Sequence, residues 1–180
     1  MKIPKEYDAF FHHLKAGERD TLKDDQTKLF IIVENEMYRV TVDRGIIPNV
    51  REGIKKCDFL CYDEINMKCH LIELKGTVIK KAYEQIEETL KNIEGNEMVF
   101  FLLKNLQILD AYIVSSGRQE VPRGVDDVKR QLAKKLAKRC SARPKNIDDL
   151  LMCVRVVANQ KVLSQKDGHI LCSNEAPLRF

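Results

Sequence analysis

Residues 57–75 constrain the fold of this chain more than any other stretch. They form two apolar segments joined by a short polar turn at Ile65-Asn66, a pattern typical of a β-hairpin. A hairpin centred on this turn places Asp58 directly opposite Glu73, with Cβ atoms roughly 5 Å apart. Two carboxylates this close repel each other unless a proton or a cation lies between them. The pattern therefore predicts a binding site for a divalent metal ion.

Lys75 adds a second functional group to this predicted site. Side chains two positions apart in a strand point to the same side, so Lys75 shares a face with Glu73 while Leu74 points away. Hydrolysis of a phosphodiester requires an activated water, neutralised phosphoryl oxygens and a stabilised leaving alkoxide. Carboxylates that hold Mg²⁺, with a lysine beside them, supply these requirements. The alternative is a salt bridge between Glu73 and Lys75 at the end of an ordinary strand.

Hydrophobic periodicity predicts the elements around the hairpin. The expected elements are an amphipathic helix over 5–16, an apolar β-rich run over 27–35, a half-buried strand over 37–42, a helix over 79–93, and strands over Met98–Leu103 and Ile108–Ser115. Strand, helix, strand is a crossover unit, so one of the last two strands is expected to run parallel to a hairpin strand. The predicted sheet is therefore mixed.

The remaining segments give weaker patterns. Residues 18–26 and 45–53 are interpreted as loops, and the second loop is a candidate contact with substrate. Asn35-Glu36 is interpreted as the corner of a hairpin. Residues 125–140 predict a helix whose apolar stripe ends at Cys140. Residues 146–160 fit a helix or a strand, and Lys166-Asp167-Gly168-His169 is typical of a hairpin turn.

The order of these features resembles that of a known superfamily. Asp58, fourteen intervening residues, then Glu73-Leu74-Lys75 on an apolar strand, a helix and a further strand resemble the PD-(D/E)XK nucleases over residues 37–115. That superfamily includes restriction endonucleases and Holliday-junction resolvases. The resemblance implies an α/β (α+β) fold of the restriction endonuclease-like type, with a mixed central sheet flanked by helices.

The resemblance also implies roles for individual residues. Asp58 and Glu73 would bind Mg²⁺ or Mn²⁺, the main-chain carbonyl of Leu74 would complete the metal site, and Lys75 would position the attacking water. Gln85 on the following helix matches a glutamine that some members use. The chain departs from the pattern in having Cys57 in place of proline and Thr89 in place of the tyrosine of a QxxxY motif.

Two further points of the resemblance stay open in the sequence. Many members have an additional upstream acid, and five candidates exist: Glu6, Glu18, Glu34, Glu36 and Asp43. A second acid-x-lysine triplet, Asp127-Val128-Lys129, begins a helix without an apolar strand and is interpreted as coincidence.

Positive charge is concentrated in one segment. Residues 118–145 contain ten Lys/Arg and three Asp/Glu residues, although the whole chain has a net charge of only +4. Such a face can attract a polyanion, or it can be a solvated helix surface. The predicted nucleic-acid contacts are Arg130, Lys134, Lys135 and Lys138, with DNA favoured over RNA.

Length and composition place limits on the other properties. At 180 residues the chain is expected to form one domain over 1–180. No apolar run approaches the roughly 20 residues that span a bilayer, and no secretory leader is evident, so a cytoplasmic protein without membrane contact is expected. The six cysteines are interpreted as reduced core thiols rather than zinc ligands. Many nucleases of this type cut both strands as dimers, which predicts a homo-oligomer. A nucleic-acid-binding or assembly module of the same fold without turnover is the alternative function.

Overall fold

The computed structural model describes residues 2–25, 27–47, 55–75, 79–115, 125–158 and 170–180. A 3₁₀ helix at Lys5–Phe10 precedes the first strand, and another follows the first α-helix at Asn92–Gly95. The strands are β1 (Phe11–Leu14), β2 (Arg19–Lys23), β3 (Lys28–Ile32), β4 (Met37–Thr41), β5 (Phe59–Asp63), β6 (Lys68–Lys75), β7 (Ile108–Ser115), β8 (Val154–Ala158), β9 (Ile170–Leu171) and β10 (Leu178–Arg179). The α-helices are α1 (Ile79–Lys91), α2 (Glu97–Leu103), α3 (Val125–Ala137) and α4 (Ile147–Leu151).

A seven-stranded mixed sheet is the centre of the structure, with the order β1-β4-β5-β6-β7-β8-β9. Strands β1, β4, β5 and β6 pair antiparallel, whereas β6, β7, β8 and β9 pair parallel. The predicted mixed sheet is confirmed, and the strand parallel to the hairpin is β7. Connecting β6 to β7 in parallel requires a long crossover, which α1 and α2 provide.

Two different layers cover the two faces of this sheet. On one face, Leu71 and Ile113 pack in a core that includes Ile86 of α1 and Leu132 of α3. On the other face, Ile72 and Tyr112 pack with residues of a small sheet of order β10-β3-β2, including Leu22 and Ile31. Alternating β6 residues therefore point towards the helices or towards the small sheet.

Three predictions of secondary structure in the N-terminal part are wrong. The helix over 5–16 is a short 3₁₀ helix followed by β1, because Phe11–Leu14 pairs with β4. Residues 19–23, expected as a loop, form β2 with β3 as partner. No hairpin forms at Asn35-Glu36, since β3 and β4 belong to different sheets. In each case pairing with a distant strand overrides the local pattern.

The strand predicted over Met98–Leu103 is also wrong, because these residues form α2. The Asn96 side chain accepts a hydrogen bond from the Val99 N–H at 2.9 Å and caps the helix. Phe100 is 51% exposed, which a strand covered on both faces would not allow. An apolar run of this length fits either element, and the cap favours the helix.

The C-terminal half combines confirmed and open predictions. The helix expected over 125–140 is α3, and Leu132, Leu136 and Cys140 are buried along its stripe. Residues 146–160 contain both alternatives, α4 and then β8, with Asn146 capping α4 through a 2.8 Å hydrogen bond from the Asp149 N–H. The predicted turn at 166–169 and residues 118–124 of the basic segment lie outside the described residues. Within the described part, no helix is long and apolar enough to cross a membrane.

Gly45 closes the turn after β4 and is expected to be intolerant of a side chain. A Cβ atom there would lie 2.1 Å from the Thr41 carbonyl oxygen, a backbone atom that cannot move aside. We expect Gly45→Ala to lower the free energy of unfolding by about 2–4 kcal/mol, measured by urea denaturation. Gly95→Ala is the matched control, since a Cβ there meets nothing within 4 Å. Equal effects of the two substitutions would contradict this interpretation.

Candidate metal-dependent active site

The hairpin of β5 and β6 has the register that the sequence predicts. Phe59 pairs with Ile72 and Asp63 with Lys68, so the next pair along is Asp58 with Glu73. The turn is held by Asp63, whose carboxylate accepts hydrogen bonds from the Asn66 N–H at 2.9 Å and from its side-chain amide at 2.7 Å. The prediction about register is confirmed because the chain reverses where the polar turn indicates.

Asp58 lies one residue before β5 and is fixed to β6 by its backbone and its side chain. Its N–H donates to the Ile72 carbonyl at 3.1 Å, and its Oδ2 accepts from the Leu74 N–H at 2.7 Å. The structure therefore brings Asp58 and Leu74 into direct contact through the Leu74 amide. The role of the Leu74 carbonyl as a metal ligand stays a prediction.

Glu73 is an acidic residue whose side chain is almost completely buried. Its side chain is 1% exposed, and its Oε1 lies 3.8 Å from the Lys75 Nζ. Its Oε2 has no hydrogen-bond partner among the described residues. Leaving a buried carboxylate oxygen unpaired is costly, so such an atom suggests a missing cation or proton.

A chain of hydrogen bonds connects Lys75 to α1. Its Nζ donates to the Gln85 Oε1 at 2.9 Å, and the Gln85 amide donates to the Lys56 carbonyl at 3.1 Å. Because Glu73, Lys75 and Gln85 all lie on the helix-covered side of the sheet, the structure brings these predicted residues together.

Thr89 forms further hydrogen bonds between α1 and the segment before Asp58, although in the sequence it is only a departure from the QxxxY motif. Its hydroxyl donates to the Gln85 carbonyl at 2.8 Å and accepts from the Cys57 N–H at 2.8 Å. Thr89 thus ties the residue before Asp58 to the helix turn that carries Gln85. Cys57, Cys61 and Cys69 are buried free thiols, as the sequence indicates.

Burial and neighbouring acids raise the pKa values of both carboxyl groups. For Glu73, desolvation and then the Asp58 charge raise the pKa from 4.5 to about 9, against a lowering effect of Lys75. For Asp58, desolvation raises the pKa from 3.8 to about 6, while the hydrogen bond from Leu74 lowers it. Asp24 and Asp43 raise both values further. Positive charge placed beside these two carboxyl groups is therefore favoured.

Among the five candidates for the upstream acid, the structure relates Asp43 to the two predicted metal ligands, and its role at a metal stays a prediction. Of the five candidates, it is the one whose charge acts on both Asp58 and Glu73. Glu18, Glu34 and Glu36 are engaged elsewhere, with the Lys15 N–H, Arg179 and His13 respectively. Glu6 lies in the first turn of the N-terminal 3₁₀ helix.

Sequence reasoning missed two residues of this region, Asp24 and Lys56. Asp24 follows β2, where the sequence predicts a loop, and the local pattern gives no sign that its charge acts on Asp58 and Glu73. Lys56 lies in a run of charged and small residues, yet its side chain is fully buried and contacts Asp43. A lysine buried immediately before a strand produces no hydrophobic periodicity from which its burial could be predicted.

The donor set fits a hard cation better than a soft one. Among the residues that the structure describes, no three His, Cys, Asp or Glu side chains form a group able to hold a metal ion. Asp58 and Glu73 are the two carboxylates that the hairpin register brings opposite each other. Mg²⁺ and Mn²⁺ accept such a set, because Mg²⁺ is bound through one or two carboxylates and keeps several waters. The unpaired Glu73 Oε2 fits this requirement.

The predicted basic contacts lie on the exposed side of α3 and in the residue that follows it, Lys138. Arg130, Lys134, Lys135 and Lys138 are all exposed. Lys135 is not freely available, because its Nζ lies 2.6 Å from the Glu87 carboxylate of α1. That ion pair places α3 beside the helix that also carries Gln85.

Comparisons with protein-family models, with curated proteins and with solved structures found no match to this chain.

The raised pKa of Glu73 predicts how stability depends on pH without metal. Between 4.5 and about 9 the unfolded chain loses the proton while the native state retains it. The stabilising contribution is therefore fully present below pH 4.5 and is lost as pH rises towards 9. We expect the free energy of unfolding to fall by about 1–3 kcal/mol from pH 5.5 to 8.5 through this group, measured by urea denaturation in chelator.

The comparison that isolates this contribution is Glu73→Gln, which keeps the side-chain volume and cannot ionise. It is expected to remove this part of the pH dependence, whereas Glu34→Gln, at an exposed carboxylate, is expected to leave it unchanged. Identical pH profiles for wild type and Glu73→Gln would contradict the raised pKa.

Proposed function

We propose that this protein is a metal-dependent nuclease that hydrolyses phosphodiester bonds, DNA being the favoured substrate. The observation that carries the proposal is the buried, unpaired Glu73 Oε2 beside Asp58 and the Lys75–Gln85 hydrogen bond. The mixed sheet with helices on one face agrees with the restriction endonuclease-like fold that the sequence resemblance implies. The resemblance does not imply the small sheet on the other face.

Asp58 and Glu73 would hold Mg²⁺ or Mn²⁺, which supplies Lewis acidity at the phosphoryl group and a more acidic water. The Leu74 N–H fixes one oxygen of Asp58, which leaves the other oxygen for a ligand. A cation bound there would displace the proton that the raised pKa keeps on Glu73. Because Glu73 is excluded from solvent, water would screen the attraction between that cation and the carboxylate only weakly.

Lys75 is the residue proposed to position the attacking water. Its side chain is 30% exposed, so the ammonium is held by protein on one side and open to a substrate on the other. Gln85 fixes its direction through the 2.9 Å hydrogen bond, and the Lys56 carbonyl fixes Gln85 in turn. A pre-oriented donor of this kind stabilises transition-state charge without reorganisation at the moment of reaction.

The experiment that tests the proposal is cleavage of supercoiled plasmid and of single-stranded DNA with Mg²⁺ or Mn²⁺. Lys75→Ala and Glu73→Gln are each expected to lower the cleavage rate by about 100-fold or more, because each removes a group used in the transition state. Chelation of the metal is expected to abolish cleavage.

The chain provides its own control for this experiment. Asp127→Asn and Lys129→Ala change the other acid-x-lysine triplet, where Asp127 is 77% exposed at the start of α3. Both are expected to retain the wild-type rate. Cleavage that survives Lys75→Ala and Glu73→Gln would reject the assigned site.

A nucleic-acid-binding module without turnover is the second candidate. It is favoured by the exposed cations of α3 and by the absence of a three-ligand metal group among the described residues. This alternative predicts binding that weakens steeply with salt, since phosphate contacts release counterions, and no cleavage with any divalent metal.

The role of the exposed cations on and next to α3 is tested separately, by measuring the binding of labelled DNA at several salt concentrations. Lys134→Glu combined with Lys138→Glu is expected to weaken binding at least tenfold and to reduce its salt dependence. Lys135→Ala is expected to have a smaller effect, because Glu87 already neutralises Lys135. Unchanged affinity after the double substitution would show that α3 is not the contact.

A further inference from the structure

A groove between α1 and the end of α3 collects positive charge from both helices. It forms a cavity of about 360 Å³, and its lining residues are Glu87, Leu90, Lys91, Lys135, Lys138 and Arg139. Four of these side chains are cationic and one is acidic. A concave surface with this excess of positive charge favours an anionic ligand.

Only part of the positive charge of α3 belongs to this groove. The turn that ends the helix keeps its helical hydrogen bonding, since the Lys138 N–H donates to the Lys134 carbonyl at 3.1 Å. With 3.6 residues per turn, Lys135, Lys138 and Arg139 lie on one side of the helix. Arg130 and Lys134 lie on another side and do not line the cavity. The groove is therefore a different feature from the outer cations of the same helix.

Glu87 holds two of the four cations in place. Its Oε1 lies 2.6 Å from the Lys135 Nζ and 3.3 Å from the Lys91 Nζ, and Lys91 also contacts Glu88 at 2.6 Å. The hydrogen bond from Lys135 lowers the pKa of Glu87, and the hydrogen bond from Lys91 lowers it further. Glu87 is therefore an ionised link between the two helices at neutral pH.

The other two cations, Lys138 and Arg139, are exposed, and neither has an acidic partner in the part of the chain that the structure describes. The Arg139 Nη2 donates to the Leu90 carbonyl at 3.3 Å, which holds the guanidinium at the groove. A guanidinium has five N–H donors, so most of them remain for a ligand. A held arginine beside a flexible lysine is well suited to the oxygens of a phosphate.

We propose that this groove binds a terminal phosphate group, that is, a phosphate monoester. Such a group carries a charge of about −1.5 to −2 at pH 7 and presents three strong acceptor oxygens. A phosphate inside a nucleic-acid strand carries one negative charge. The terminal group therefore gains more from several converging cations. This inference does not depend on the metal site or on the proposed nuclease activity.

The test is calorimetric titration of the full chain in chelator, so that cleavage plays no part. The probes are thymidine 5′-monophosphate, a short oligothymidylate with a 5′-phosphate, and the same oligonucleotide with a 5′-hydroxyl. The phosphorylated oligonucleotide is expected to bind at least about tenfold more tightly than its 5′-hydroxyl form. Equal affinity of these two oligonucleotides would overturn the proposal.

The mononucleotide identifies the source of the phosphate. Binding of thymidine 5′-monophosphate as tightly as the phosphorylated oligonucleotide, or more tightly, would support the proposal with a small phosphate compound as ligand. Tighter binding of the phosphorylated oligonucleotide would support it with the end of a strand as ligand. Failure of both to bind would overturn it, and would leave the cations with the structural role of stabilising the C-terminal ends of the two helices.

Two double variants locate the site, with the tighter of the two phosphorylated probes as ligand. Lys138→Ala combined with Arg139→Gln is expected to weaken binding at least about tenfold. Arg130→Gln combined with Lys134→Ala removes the same two residue types from the outer side of α3, and is expected to stay within about twofold of wild type. Equal losses in the two variants would overturn the assignment to the groove, because net charge alone would then explain the binding.

Glu87→Gln gives a test of opposite sign. It removes the one acid that lines the groove and releases Lys91 and Lys135, so it is expected to tighten phosphate binding by about threefold or more. Unchanged or weaker binding in this variant would contradict a phosphate held among these cations. Circular dichroism of each variant verifies folding.

Discussion

The antiparallel pairing of β5 with β6 is the interaction on which the other features of this site depend. It brings Asp58 opposite Glu73, and the Leu74 amide then binds the Asp58 carboxylate at 2.7 Å. Backbone hydrogen bonds hold the two acids in place. Burial is the largest cause of their raised pKa values, and for Glu73 repulsion from the Asp58 charge adds to it. A cation that enters the pocket relieves that repulsion directly.

Different layers cover the two faces of the large sheet around Glu73. The helices cover Glu73 and supply Gln85 and Thr89, which orient Lys75 and the segment before Asp58. The small sheet packs on the other face through Ile72 and Leu74. Lys75, at the end of β6, keeps 30% of its side chain exposed, whereas Glu73 on the same side of the strand is almost completely buried.

Local sequence patterns predict the centre of the structure better than its edges. The hairpin around Asp58 and Glu73 has a distinctive turn and a long apolar arm, so its register follows from the sequence, as do β7 and α3. The N-terminal strands do not follow, because β1 and β2 acquire their structure from partners distant in the chain. The strand predicted at Met98–Leu103 is wrong because β and α patterns coincide over an apolar run of only six residues. Asp24 and Lys56 reach the site only through tertiary structure, which no local pattern encodes.

The pleat of β6 limits how the length of this region can change in related sequences. One extra residue between Lys68 and Glu73 would rotate the glutamate to the side now occupied by Ile72, against the small sheet. An insertion in the turn at 64–67 can be absorbed without this rotation, since the turn lies beyond the last pair, Asp63 with Lys68. Insertions and deletions are therefore expected to accumulate at the tip of the hairpin and to be excluded from its arms. A search for distant relatives that allows a variable tip and fixed arms would use this constraint.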